Sequence, residues 1–224
     1  MTTTLKKAVF LDRDGVINSY VYNPEFGTVD SPSNPDEFQI VAGVPEAMAA
    51  FRHMGFLVVV VSNQPGIAKG KFSAELLHAV TAKMTADCSG AINAVYYCLH
   101  HPQATHPEYL LNCACRKPKP GLLLKAAEEM NIDLRESVMI GDGLTDVIAG
   151  QRAGSRAILL SQRKCYVCDQ LAERGVTPDF IATTLADAVP IMGAINSDAM
   201  LRIKGAYKDE LLARVHRGSH CSPA

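Results

Sequence analysis

Short apolar runs punctuate this chain, and three of them stop abruptly at polar residues. Ala8-Val9-Phe10-Leu11 gives way to Asp12-Arg13-Asp14-Gly15, Phe56 to Val61 gives way to Ser62-Asn63-Gln64-Pro65-Gly66, and Val138-Met139-Ile140 gives way to Gly141-Asp142. Continuous rather than alternating hydrophobicity marks strands buried on both faces, as in a parallel sheet. Further strands are expected at Ile92 to Cys98, Ala157 to Leu160 and Phe180-Ile181. Between the strands the apolar positions change to helical spacing. Val44, Ala47, Met48 and Phe51 precede Gly55; Leu76, Leu77, Val80 and Met84 follow Ser73 as N-cap; Pro120-Gly121 opens an apolar helix running through Met130. Helices are also expected from Leu144 to about Ala153, near Asp169 to Arg174, and over Leu185 to Met192. Parallel neighbours need crossovers, so this alternation predicts an α/β fold with a mainly parallel sheet covered on both faces. Ligands of such sheets gather at the carboxyl ends of the strands, where the polar signatures lie.

Two internal stretches break the rhythm. Asn18 to Asp36, rich in Tyr, Asn, Pro, Ser and Gly, has no sustained period and reads as a loop, long enough to serve as a lid or specificity element. Leu99 to Lys119 is irregular too, with prolines, three histidines and two cysteines. Past Ser197, Leu201, Leu211, Leu212 and Val215 could line one helix face, interrupted by Gly205. Such a helix would pack on the domain surface or form a dimer contact, so a monomer or weak dimer is expected.

Length and charge narrow the function classes. The 224 residues, 48% hydrophobic, can bury one good core. A formal net charge of −1 offers no broad basic surface for nucleic acid or an anionic membrane, although a local phosphate pocket remains open. No apolar run approaches a bilayer span, and Met1-Thr2-Thr3-Thr4-Leu5-Lys6-Lys7 leads straight into a core strand rather than a cleavable signal. A cytoplasmic protein with neither a nucleic-acid nor a membrane partner is expected.

The strand ends carry the candidate chemistry. Side chains two apart leave a strand on the same side, so Asp12 and Asp14 would lean toward one point if the extended conformation persists through Arg13. Neighbouring carboxylates repel unless a cation or proton lies between them, which points to a hard cation such as Mg²⁺. Phosphoryl transfer needs an attacking oxygen, a proton donor for the leaving alkoxide and positive charge around the transferring oxygens. Asp12 suits the attack and Asp14 the proton transfers, with Asp142 as a further cation ligand. Ser62 and the amides near Asn63 can hydrogen-bond a phosphate, and Lys117 can place a fixed charge beside it. Asp146, one helical turn after Asp142, is expected to support this group.

A second, independent signal is Cys98-Leu99-His100 followed, after twelve intervening residues, by Cys113-Ala114-Cys115. Three thiolates and one imidazole are the donor set of a closed, structural zinc site. Zinc would fold the irregular loop and hold Arg116 and Lys117 against the catalytic edge. His101 and His106 read as surface residues, and Cys165-x-x-Cys168 as an ordinary reduced pair.

These residues resemble a known family. Asp12-Arg13-Asp14-Gly15-Val16-Ile17-Asn18, Ser62 to Gly70, Tyr97-Cys98-Leu99-His100-His101-Pro102, Cys113-Ala114-Cys115-Arg116-Lys117-Pro118 and Gly141-Asp142 look like the haloacid dehalogenase superfamily. Within it they are most similar to the D-glycero-D-manno-heptose-1,7-bisphosphate 7-phosphatases and the related histidinol-phosphate phosphatases, from about Lys7 to Met192. The resemblance implies a Rossmann-like three-layer domain without a large cap, over residues 1–193, with 194–224 a helical extension or tail. It implies hydrolysis through an aspartyl-phosphate on Asp12, with Asp14 as general acid and base. Mg²⁺ would lie on Asp12, Asp142 and the main-chain carbonyl of Asp14, and structural Zn²⁺ on Cys98, His100, Cys113 and Cys115. Ser62 and Lys117 would steady the phosphoryl group, while Arg116, Asn63 and Lys69 contact a small phosphorylated sugar. Two departures bear on substrate: Gly143 stands where a basic residue usually follows the aspartate, and the Ser19 to Gly43 segment is longer than usual. The expected activity is release of the C7 phosphate of a heptose 1,7-bisphosphate. The alternatives are another small phosphomonoester, including histidinol phosphate, or a non-catalytic phosphosugar-binding protein.

Overall fold

The computed structural model describes residues 4–25, 27–160, 170–171 and 173–197. Strands β1 (Lys7–Leu11), β4 (Phe56–Asn63), β5 (Ala94–Cys98), β6 (Val138–Gly141), β7 (Arg156–Leu160) and β8 (Phe180–Ala182) form one parallel sheet in the order β5-β4-β1-β6-β7-β8. β1 lies at the centre, in register Val9↔Val58 and Val9↔Val138 with its two neighbours. The chain reverses its direction of growth across the sheet at β1, which opens the crevice in which doubly wound sheets bind ligands.

The alternating side chains of β1 explain why it is apolar throughout. Val9 and Leu11 enter a core shared with helices α1 (Val44–His53), α2 (Ala74–Asp87) and α5 (Leu185–Asn196), through Phe51, Met84 and Met192. Ala8 and Phe10 enter the opposite core, against Leu122, Leu123 and Ala126 of α3 (Gly121–Met130) and Ala149 of α4 (Leu144–Ala153). Each is wholly buried. The helix ends follow the sequence signals: Ser73 accepts from the Leu76 amide, and Gly55, just beyond α1, has φ +83°.

The Asn18 to Asp36 stretch is more ordered than its sequence suggests. It holds an antiparallel hairpin, β2 (Val21–Asn23) and β3 (Thr28–Asp30), and a 3₁₀ turn over Pro35–Glu37. Strands of three residues exposed to solvent carry no apolar period. A Lys71–Asp30 ion pair ties this hairpin to the loop after β4. β4 also runs two residues past its apolar run, so Ser62 and Asn63 pair with Tyr97 and Cys98 of β5. No helix among the described residues is long and apolar enough to cross a membrane. Cys165, Cys168 and the Leu201 to Val215 stripe lie outside the described residues; of the helix expected near Asp169 to Arg174, residues 169 and 172 lie outside them too, while Gln170, Leu171 and Glu173 are helical.

Candidate active site

The chain leaves the sheet at Leu11 and turns at once. The amides of Ile17 and Asn18 both bond the Arg13 carbonyl, at 2.8 and 3.2 Å, and Gly15 has φ +80°. A Cβ on Gly15 would lie 2.3 Å from Asp142 Oδ2 and 2.7 Å from the Tyr20 ring, so the turn needs glycine on both counts. Extended backbone therefore does not persist through Arg13, and Asp12 and Asp14 acquire separate sets of partners.

Asp12 faces a buried cation. Lys117 Nζ lies 2.9 Å from Asp12 Oδ1, 2.5 Å from Asp146 Oδ1 and 2.9 Å from the Val61 carbonyl oxygen. Burial alone would draw the Lys117 ammonium down, yet Asp12 and then Asp146 outweigh it, and its pKa is raised. Burial also raises the Asp146 carboxyl, against the pull of Lys117, with Asp12 and Asp142 adding to the rise. Asp146 accepts from the Gly143 amide at 3.1 Å as well, at the first turn of α4. Carboxylate oxygens of Asp12, Asp142 and Asp146 all lie within 4.8 Å of one another. Three carboxylates against one ammonium leave a site that could hold a metal ion. Tyr20 covers it, its hydroxyl donating to Asp142 Oδ2 at 3.1 Å. Its own ionisation is pushed far up, first by burial and then by Asp142, Asp12 and Asp14.

Asp14 turns to the hairpin side. Oδ1 accepts from Arg13 Nε (3.1 Å) and Asn18 Nδ2 (2.9 Å), and Oδ2 from Gln64 Nε2 (2.7 Å), Ser31 Oγ (2.8 Å) and Arg13 Nη2 (3.3 Å). Arg13 is wholly buried and lies over the Tyr97 ring, 5.8 Å from its centroid. Gln64 Nε2 also reaches Ser62 Oγ at 3.2 Å, joining two of the expected residues through one amide. Ser31 and Gln64 open onto a cavity of about 340 Å³ whose other walls include Val21, Asp30, Lys69 and Phe72.

The remaining expected residues take distinct places. Asn63 spends its amide on the main chain of Lys117, donating to the carbonyl at 3.1 Å and accepting from the amide at 3.0 Å. These two bonds tie its side chain to the main chain that carries the lysine ammonium. Arg116 Nη1 donates to the His100 carbonyl at 3.3 Å. Exposed Lys69 stands near enough that both it and Arg116 disfavour the imidazolium of His101, after the larger effect of burial. Cys98, His100, Cys113 and Cys115 converge, their ligand atoms within 4.8 Å of one another, with sulfur separations of 3.1 to 3.5 Å. That cluster too could hold a metal ion, and Lys117 follows it by two residues. Tyr20, Ser31 and Gln64 were not singled out by the sequence. Gln64 sits in a motif, but nothing in the Asn18 to Asp36 composition marks one hydroxyl above the others.

The chain is similar to known proteins. Residues 114–188 match the HAD-hydrolase-like family. The D-glycero-β-D-manno-heptose-1,7-bisphosphate 7-phosphatase of Vibrio cholerae is 44% identical over 155 residues, covering 66% of this chain and 77% of that protein. The enzyme of the same name from Haemophilus ducreyi is 36% identical over 192 residues, covering 83% and 97%. Among solved structures, the D,D-heptose 1,7-bisphosphate phosphatase of B. bronchiseptica, complexed with magnesium and phosphate, superposes with a TM-score of 0.68 at 29% identity over 83% of this chain and 97% of that one. Identity at this level, across most of both chains, decides the matter of descent: this chain is a phosphoric monoester hydrolase and belongs to the HAD-like heptose-1,7-bisphosphate 7-phosphatase family.

Proposed function

We propose that this phosphatase releases the C7 phosphate of a heptose 1,7-bisphosphate through an aspartyl-phosphate on Asp12. The observation that carries the mechanism is the placing of Asp12 against Lys117, with Asp142 and Asp146 beside it and Asp14 bonded to Ser31 and Gln64, which border the cavity. An Asp12 oxygen attacks phosphorus, and the ester P–O bond breaks toward the leaving oxygen, which takes a proton from Asp14. Water then attacks the phosphoaspartate, giving its proton to Asp14, and the P–O bond to Asp12 breaks to restore the carboxylate. Lys117 and Ser62 steady the phosphoryl oxygens, and Arg116 and Lys69 meet the sugar from the rim.

Surplus negative charge and all-oxygen donors suit a magnesium ion on Asp12, Asp142 and the Asp14 carbonyl. When bound, it supplies positive charge beside the transferring phosphoryl group. Cys98, His100, Cys113 and Cys115 suit structural zinc. The protein is read as cytoplasmic, monomeric or weakly dimeric, and without a nucleic-acid partner.

One observation favours a second reading of substrate. Gly143 brings no side chain to the site, so the basic contact usual in the family is missing there. A related sugar bisphosphate or another small phosphomonoester, histidinol phosphate included, fits this departure. Phosphate release from a panel of sugar mono- and bisphosphates and histidinol phosphate, with Mg²⁺ and after EDTA, tests both. The heptose 1,7-bisphosphate should give the highest kcat/KM, EDTA should abolish turnover, and Asp12→Asn should be inert. Undiminished turnover by Asp12→Asn would sink the mechanism; a better substrate elsewhere in the panel would replace the sugar.

A further inference from the structure

We infer that Ser31 is the positioning residue that lets Asp14 exchange its proton through Oδ2. The inference rests on Asp14 as the acid and base of the proposed reaction. Among the described residues, every hydrogen-bond partner of the Asp14 carboxylate is a donor. That arrangement suits the carboxylate after it has given up its proton, and it leaves no acceptor for the acid form. Four of the five contacts are N–H groups of Arg13, Asn18 and Gln64, which cannot accept. The Ser31 hydroxyl alone can reverse, from donating to Oδ2 to accepting from Oδ2–H, without moving a heavy atom.

The cavity assigns the oxygen. Oδ1 is held by Arg13 Nε and Asn18 Nδ2, and neither residue borders the cavity, whereas Oδ2, which Arg13 Nη2 also reaches, is held by Ser31 and Gln64, which both border it. Oδ2 is therefore the oxygen a leaving group can reach. In the acid form the Oδ2 proton points to a lone pair of Ser31 Oγ. As the P–O ester bond breaks, the leaving oxygen keeps the bonding pair and takes this proton, and Ser31 turns its own O–H onto the carboxylate left behind. The attacking water reverses both movements. Ser31 directly follows β3, so the hairpin that shapes the cavity also governs the proton donor.

The test separates this role from a structural one by leaving group. The leaving oxygen of a sugar phosphate is strongly basic and needs the proton, whereas p-nitrophenolate departs without it, and kcat/KM reports the step in which the ester bond breaks. General acid catalysis is worth about 10²–10⁴-fold, so a misaligned acid in Ser31→Ala should lower the ratio of kcat/KM for the best sugar phosphate of the panel to that for p-nitrophenyl phosphate by about 10-fold. Ser31→Thr, which keeps the hydroxyl, should restore the ratio to within about 3-fold of wild type on the same scale. Equal losses on both esters, or no loss on either, would overturn the inference. Asp12→Asn run alongside distinguishes the failures. If that variant still turns over both esters, the reaction scheme and the inference fall together. If it is inert while Ser31→Ala treats both esters alike, only the inference falls.

Discussion

Lys117→Met removes the cation around which the catalytic carboxylates are arranged, while keeping most of the side-chain volume. The lysine side chain is 1% exposed, as is Asp146, and Asp12 is 15% exposed. Without the ammonium, two carboxylates face each other in a largely dry site, and the Val61 carbonyl loses its donor. Deleting one partner of a buried pair costs about 3–5 kcal/mol, and the partial exposure of Asp12 argues for the lower end. A loss of about 3 kcal/mol lowers the Tm of a domain of this size by about 6–12 °C. Thermal unfolding in EDTA reads this directly. Asp146→Asn added to Lys117→Met takes away the second stranded charge, so the double variant should recover part of the lost Tm. Mg²⁺ brings a cation back among the same carboxylates and should raise the Tm of Lys117→Met by more than that of wild type. Activity should fall by about 10²–10³-fold even with Mg²⁺, the scale for losing one charge-stabilising donor. A Tm within about 2 °C of wild type in EDTA, or a double variant no more stable than the single, would refute the electrostatic account.

Asn63→Ala breaks two hydrogen bonds to the Lys117 main chain and should cost about 2 kcal/mol, at about 1 kcal/mol each, with kcat falling more than KM rises; urea unfolding and steady-state kinetics check it. Removing metal from the Cys98, His100, Cys113 and Cys115 cluster, by chelation or Cys115→Ser, should speed amide exchange across 99–119 and abolish turnover, as read by exchange mass spectrometry and phosphate release. Burial raises the Cys98 and Cys115 thiols, so both carry protons at neutral pH. Zinc uptake should then release about two protons and weaken as pH falls, which calorimetry in buffers of differing ionisation enthalpy would detect. Lys71→Ala removes an exposed pair and should change stability by no more than about 1 kcal/mol, measured by Tm.

The parts of the site legible in the sequence are those where chain position alone fixes space. A strand in a parallel sheet must deliver its carboxyl end to the shared edge, so Asp12, Ser62 and Asp142 could be placed together from three apolar runs. The thiol cluster was legible because two ligand pairs at short spacing leave few other geometries. What local pattern could not show was the turn at Arg13. A DxD read as extended strand puts both carboxylates on one point, whereas the bonds to the Arg13 carbonyl separate them and bury the guanidinium. The hairpin was missed for a related reason. Its three-residue strands bury no face, and Ser31 earns its place only through a contact 17 residues back in the chain.

The two groups that the proposed reaction asks most of are held by different means. Lys117 is fixed from three directions: Asn63 of β4 grips its main chain, Asp146 of α4 its ammonium, and the thiol cluster the chain just before it. None of these contacts involves the hairpin. Asp14 is fixed on Oδ1 by buried groups of its own turn and on Oδ2 by Arg13, Gln64 and Ser31, the residue that directly follows the hairpin. Variation around Ser31 can therefore reshape the cavity and retune the proposed proton donor without touching the contacts that hold Lys117.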